Sequence, residues 1–462
     1  MLMKTKKRNK LFLLAFILNL LSGQEFKIQF SHIPTGQGIA QNDSIGVMNS
    51  IGGVLLRDVS SDSFAVGTGF LKTAQSVFSE PPVIADFVLP DIISGSAVST
   101  SVSATLYDLN GIRSVKLYLQ MGGRSDFVKI PMSNNNNDLY EVVIDDSLIG
   151  IQNFRARIVG IDNMGYITSS EYKTPEIQFS KGELSMDHEY SQYPAGIPTG
   201  RYRLMSWPGK PVNTSLAHSE LKDGHVFYSW DIEKKKYIIA DIIELGRSYW
   251  FRHEYEDPVV FSEDSSIAVP LENYTIKLEQ GWNMVGNPFS FPVQYAKDST
   301  VNDPITFMEI ANKDGWSEPQ TELKPWNGYA VYAAAVSDLI LIPFQETDSS
   351  AQRVANIDGW YLNLKAESQN FFHHAAQIGR RENAHNGQDL YDTPQLPDIN
   401  ETISLLMDLD GNSSFRYTKD IRDLEEFNGV WNLRLDGDSD ERLIILSGVL
   451  KGSIPEGLRM AI

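Results

Sequence analysis

The chain has 462 residues, with 59 acidic against 40 basic side chains and no cysteine. That length is several times an ordinary domain, so three or four separate cores are expected. The acidic balance argues against a nucleic-acid partner, which needs clustered Lys and Arg; the missing cysteine excludes disulfides and a cysteine-linked lipid anchor.

The first ten residues carry Lys4, Lys6, Lys7, Arg8 and Lys10, an apolar run spans Leu11 to Leu21, and Ser22-Gly23-Gln24 supply small residues for cleavage. This pattern predicts a signal peptide over 1–24 and an exported chain, extracellular or at the cell surface. The run is too short for a stable membrane anchor. No comparable stretch recurs, so no transmembrane segment is expected in the mature chain. Without residues 1–24, 35 basic residues face 59 acidic ones, a formal charge of −24. Such a surface suits solubility or cation binding.

Residues 25–80 alternate short apolar segments such as Phe26 to Phe30 with Gly, Ser and Asn, which reads as a small β-module. Within it, Ser60 to Leu71 resembles a short repeat at the start of many exported bacterial surface proteins. Pro81-Pro82 marks a boundary. Over 82–178, Val102, Ala104 and Leu106 alternate with polar residues, as do Val115, Leu117 and Leu119, then Tyr140, Val142 and Ile144, then Phe154, Ala156 and Ile158. Four half-buried strands separated by turn signals predict an antiparallel sandwich. Asp108 to Ile112, Phe127 to Met132 and Ile161 to Gly165 resemble the immunoglobulin-like modules of exported bacterial proteins; the cysteine pair and buried Trp of antibody domains are absent.

Beyond a polar link at 180–198 the chain duplicates itself. Tyr202 answers Trp282, Met205 answers Val285, Pro208 answers Pro288 and Tyr249 answers Tyr329, all at a separation of 80. A constant offset means two copies of one unit, copy one over 199–269 and copy two over 274–343. Gly281-Trp282-Asn283, Asn287-Pro288 and Gly328-Tyr329 resemble a β-repeat of exported bacterial proteins, and copy one departs from it with Tyr202-Arg203 in place of Trp-Asn. The resemblance implies an extracellular all-β module and no reaction.

Residues 346–462 open on Trp360, Leu362 and Leu364 in alternation, pass through a Pro/Asp-rich loop at Asn383 to Pro397, and reach Trp431 to Leu435 and Leu443 to Leu446, which are expected to pair as a hairpin across Asp436-Gly437-Asp438. This order resembles the domain that precedes the sorting signal of type IX secretion substrates, in which more chain normally follows; Leu458 to Ile462 then read as a strand cut short. The fold class expected is all-β: several antiparallel sandwich-like modules in series, including an immunoglobulin-like sandwich and a tandem duplicated module.

Three kinds of residue could carry chemistry. His373, His374 and His385 lie close together, but their spacing departs from the helical zinc motif and they are read as loop residues. Asp408, Asp410 and Asn412, and Asp436, Asp438 and Asp440, place side-chain oxygens at alternate positions, as calcium loops do; the first set lacks the glutamate at its twelfth position, and the second equally reads as an acidic hairpin tip. Calcium is the one cofactor considered, and otherwise none is expected. Trp207, Trp250 and Trp326 are candidate glycan contacts, because exposed aromatic rings hold sugars. They do not recur between copies, facing Asn287, Ala330 and Gly246, whereas the aromatics that do recur are read as core. There is no Gly-x-Ser-x-Gly elbow and no phosphate-binding loop. The reading that follows is a non-enzymatic surface or secreted protein acting in adhesion, display or as a structural spacer. The alternative is an accessory polysaccharide-binding protein using exposed aromatics of the duplicated region, and the partner class is an extracellular glycan or protein.

Overall fold

A computed structural model describes residues 80–95, 99–135, 138–179, 184–187, 190–212, 214–215, 224–262, 266–344, 359–399, 402–408, 416–425, 429–437 and 443–452, together with the backbone of five short N-terminal strands. The expected signal peptide and the final residues 453–462 lie outside these. The fold is all-β, with antiparallel sheets in series. Among the described residues no helix is long and apolar enough to cross a membrane.

The chain divides into two compact units. In the first, Lys27–Gln29, Gln37–Gln41 and Gly46–Ser50 form an antiparallel sheet, and Val59–Ser61 pairs with Phe64–Val66. The second contains the sandwich strands, the duplicated region and the C-terminal sheet. Its sandwich has two four-stranded sheets, one built on Ser99–Tyr107 and Leu139–Asp145, the other on Ile112–Met121 and Phe154–Asp162. Alternate residues point inward, burying Val102, Ala104, Leu106, Leu117, Leu119, Phe154, Ala156 and Ile158, the period-two pattern of a sheet with one covered face.

Bonds carry the sandwich into the duplicated region. Glu176–Phe179 pairs antiparallel with Ser266–Ala268. The buried Asn153 amide donates to Pro175 O and Val269 O, and Ser290 Oγ donates to Ile151 O at 2.6 Å.

In each copy an opening strand, Arg203–Ser206 or Gly281–Gly286, pairs antiparallel with a closing strand, Ser248–His253 or Gly328–Ala333. The registers are equivalent, Met205 opposite Tyr249 and Val285 opposite Tyr329. Each buried tyrosine hydroxyl accepts a hydrogen bond from the backbone five residues upstream: Glu244 N at 2.7 Å and Lys324 N at 2.6 Å. Between the strands lies a hairpin. In copy one it is His225–Asp231 with Lys236–Ile239; in copy two it is Phe307–Ile310 with Lys313–Trp316. The second turns on Ala311 and Asn312, both at positive φ (51° and 64°), the two-residue turn whose twist suits a hairpin.

The copies interlock about a pseudo-twofold axis. Ser206 N donates to Trp326 O at 3.0 Å, and the equivalent Gly286 N donates to Gly246 O at 2.9 Å. Met205 bridges Asn327 as Val285 bridges Arg247. Leu204, Met284, Trp250 and Ala330, two equivalent pairs, share one core cluster. Trp326 of copy two enters the core of copy one, and Leu245 of copy one packs on the core of copy two.

The C-terminal residues and the copy-two hairpin form one nine-stranded sheet. Lys313–Trp316 pairs in parallel with the start of Phe371–Arg381, whose later part pairs in parallel with Arg416–Asp423. The expected hairpin between Trp431 to Leu435 and Leu443 to Leu446 does not form. Asn432–Asp436 pairs instead with Ser404–Asp408, and Ile445–Gly452 with Gly359–Glu367. These pairings place the two segments at different edges of the sheet.

Candidate functional site: two clefts across the internal axis

The interlocking leaves two clefts, and they are built from equivalent positions. The larger, about 620 Å3, lies between Tyr202 and Arg203 of the copy-one opening strand and Asn312 and Asp314 of the copy-two hairpin. The smaller, about 170 Å3, lies between Trp282 and Asn283 of the copy-two opening strand and Ser229, Trp230 and Ile232 of the copy-one hairpin. Tyr202 with Trp282, Arg203 with Asn283 and Ile232 with Asn312 each differ by 80 in number. Each cleft therefore has an opening strand of one copy as one wall and the hairpin of the other copy as the opposite wall.

What differs between them follows from one substitution. In copy two, Asn283 folds back on its own turn: Oδ1 accepts Glu279 N at 3.0 Å and Nδ2 donates to Glu279 O and Gly281 O. Arg203 is too long for that and reaches across the axis. Its guanidinium, fully buried, donates from Nη2 to Glu309 Oε2 at 2.9 Å, pairs with Asp314 Oδ1 at 2.9 Å and lies 5.2 Å from the Tyr193 ring. Its Nε has no hydrogen-bond partner. A buried guanidinium needs this company, because desolvating it unpaired costs several kcal/mol.

Around this pair the larger cleft is rich in arginine. Arg201 stands 3.3 Å from Asp314 Oδ2 with half of its side chain exposed. Arg252 donates to Gly200 O and pairs with Glu254 at 2.5 Å; its guanidinium lies 5.6 Å from the centre of the half-buried Tyr202 ring. Asn370, Phe371, Ile399 and Thr402 of the C-terminal segment complete the wall. Arg203 is buried, so Arg201 and Arg252 are the guanidinium groups of the cleft that reach water, and Glu309, Asp314 and Glu254 balance the three arginines.

The end of the Pro/Asp-rich loop and the residue after it hold both copies in place. Trp282 Nε1 donates to Gln395 O, Tyr237 Oη to Pro397 O, and Trp316 Nε1 to Asp398 Oδ1. Leu396 fills the shared core. Burial pushes the Asp398 carboxyl up to about 6, against the hydrogen bonds from Trp316 and Ser404.

The three tryptophans expected at a glycan surface are elsewhere. Trp207 and Trp326 are each 3 % exposed in the core of copy one, and Trp250 is 1 % exposed in the shared core. Each packs against other rings or across the axis, so none offers a face to a ligand. Where they fail to recur, the partner position holds a group that completes the packing. Asn287, opposite Trp207, organises its turn by accepting Phe289 N and donating to Phe291 O and Leu323 O. The recurring pair Tyr202 and Trp282, read as core, is packed as such: Trp282 is 8 % exposed in the shared core with Tyr202 against it, and both also border the clefts.

Of the calcium candidates, Asp410, Asn412, Asp438 and Asp440 lie outside the described residues. Asp408 and Asp436 sit on paired strands in a register that sets Asp408 opposite Asn432 and Asp436 opposite Ser404. Asp436 is taken by Arg416 and Arg434, while Asp408 Oδ1 is buried without a hydrogen-bond partner. His373 and His374 belong to the strand Phe371–Arg381, not to a loop. Burial holds His373 down at about 3, and His374 faces Glu367 at 3.1 Å. Among the described residues no group of three or more His, Asp or Glu is arranged to hold a metal.

A comparison with known protein families and with curated proteins finds no match. The clefts therefore stand on their own geometry. Sequence reasoning missed Arg203 as a site residue, although the exchange of Trp-Asn for Tyr-Arg was visible. The available signal was a charged residue at the head of a strand whose counterpart in copy two, Asn283, is neutral.

Proposed function

We propose that the chain is a non-enzymatic exported protein that works at the cell surface or outside the cell, in adhesion, display or as a structural spacer. The observation that supports this most is the bonding at the joints. Strand pairing and buried hydrogen bonds run from the sandwich into the duplicated unit, and parallel pairing runs from that unit into the C-terminal sheet. Domains joined by free linkers move independently by default; joints bonded in this way hold one module at a set position relative to the next, as display or spacing requires.

Fractionation of the native host with an antibody to the duplicated region tests the reading. The protein is expected in the medium or on intact cells, where added protease removes it. Recovery in the cytoplasm, protected until lysis, would contradict it.

A second reading, polysaccharide binding, is favoured by the two clefts. They combine aromatic rings with charged and amide groups, the mixture that holds a sugar by ring stacking and hydroxyl hydrogen bonds. Its aromatics are the half-buried Tyr202 and Trp230 in place of Trp207, Trp250 and Trp326.

A further inference from the structure

The larger cleft gathers three arginines on a strongly acidic protein. Arg201, Arg203 and Arg252 line it, each paired with one or more of Glu309, Asp314 and Glu254, in a chain of net charge −19. The three arginines are not equivalent. Arg203 is committed to Glu309 and Asp314 and is fully buried. Arg201 and Arg252 have side chains 50 % and 36 % exposed. The Arg252–Glu254 pair faces water and is weakly held, and Arg201, shared between Glu309 and the buried Asp314, keeps its outer half in water, so a carboxylate arriving from outside can share both guanidinium groups. Guanidinium groups take carboxylates through two parallel hydrogen bonds, a geometry that an ammonium group cannot provide.

The rest of the wall indicates what carries that carboxylate. Tyr202 and Phe371 are rings, and Asn312, Asn370, Thr402 and Asp314 supply amide, hydroxyl and carboxylate groups. The amide and hydroxyl groups of Asn312, Asn370 and Thr402 suit the several hydroxyls of a sugar ring, which the side chains of an acidic peptide lack. We infer that the larger cleft binds a saccharide containing uronic acid, with the sugar carboxylate on Arg201 and Arg252 and a ring face against Tyr202. The smaller cleft, where Asn283 replaces the buried arginine, lacks this pair of arginines and does not share the specificity. The inference rests on the polysaccharide-binding reading and narrows it to one cleft and one sugar chemistry.

Titration calorimetry of the full mature chain tests it, using an oligogalacturonate, the same oligomer with its carboxyl groups reduced, a sulfated oligosaccharide and polyglutamate. Binding of the oligogalacturonate is expected, weakened at least tenfold by carboxyl reduction and at least tenfold by Arg201→Gln or Arg252→Gln; polyglutamate should not bind. Both arginines are partly exposed, so neither change threatens the fold, and circular dichroism checks this. A sulfated oligosaccharide that binds more tightly than the uronate would overturn the carboxylate assignment. Equal binding of the reduced oligomer, untouched by either variant, would overturn the inference and leave polysaccharide binding standing at another site. Absence of binding to every saccharide would overturn both, while the fractionation result decides the surface role separately.

Discussion

Tyr249 and Tyr329 do the same work in the two copies. Each ring is buried between an opening and a closing strand, and each hydroxyl accepts a backbone N–H that would otherwise be orphaned at the turn before the closing strand. Burial pushes the Tyr249 hydroxyl up to about 12 and raises Tyr329 as well. Leaving a buried N–H unpaired costs about 1–3 kcal/mol. Tyr249→Phe and Tyr329→Phe should therefore each lower the unfolding free energy by that amount in denaturant titrations, and equally within error. A null effect in one copy would show that the equivalence is only one of shape. Asp398 gives a pH-dependent prediction. Its carboxyl is raised from 3.8 to about 6 by burial, so it binds its proton more tightly folded than unfolded. Its destabilising effect is complete above about 6 and disappears as the pH falls to 3.8. Asp398→Asn should be more stable than the parent at pH 8, by on the order of 3 kcal/mol at most, with the advantage gone by pH 4. Thermal unfolding of both proteins across that range reads the difference; an advantage that stays constant with pH would contradict it. At this scale the sequence shows identities but not exposure. Trp207, Trp250 and Trp326 invite a surface reading because they do not recur, and the structure buries all three, Trp207 and Trp326 in the core of copy one and Trp250 in the shared core.

Among the elements, the two opening strands meet through small residues. A Cβ added at Gly286 would stand 2.2 Å from the Ser206 Cβ and 2.7 Å from Arg247 O. Ser206 and Gly286 are equivalent residues, so the close approach is set by their combined size. Gly286→Ala should cost about 1–3 kcal/mol by overpacking, and Ser206→Gly in the same chain should return part of that loss; a double variant no better than the single one would place the clash elsewhere. The copy-two hairpin makes a still closer approach. A Cβ at Gly315 would lie 1.8 Å from Phe372 O, which the parallel pairing with Phe371–Arg381 cannot absorb. Gly315→Ala is expected to detach the hairpin, seen as lost amide protection in Lys313–Trp316 with the sandwich strands unaffected. Strand existence was legible at this scale because period-two patterning survives in single segments such as Val102 to Leu106. Pairing was less so. The segments at Trp431 and Leu443 are close in sequence and separated by an acidic turn signal, yet each joins a strand distant in sequence. Local spacing carries no record of such partners.

For the whole molecule, the duplication was legible from the offset of 80, while the interlocking was not. A repeat in sequence is equally compatible with two beads on a string. Only the crossed bonds Ser206 to Trp326 and Gly286 to Gly246, and the shared core of Leu204, Met284, Trp250 and Ala330, make the copies one body. The same crossing creates the clefts, since each takes one wall from each copy. That the copies are interdependent is thus the claim on which both the fold and the candidate site rest. Trp326 probes it directly, being part of copy two in sequence and of the copy-one core in space. Hydrogen exchange measured on Trp326→Ala, a change expected to cost about 3–5 kcal/mol, should show protection falling in Arg203–Ser206 and Ser248–His253 as much as in Gly328–Ala333. Loss confined to Gly328–Ala333, with the copy-one strands as protected as in the parent, would contradict the interlocked account.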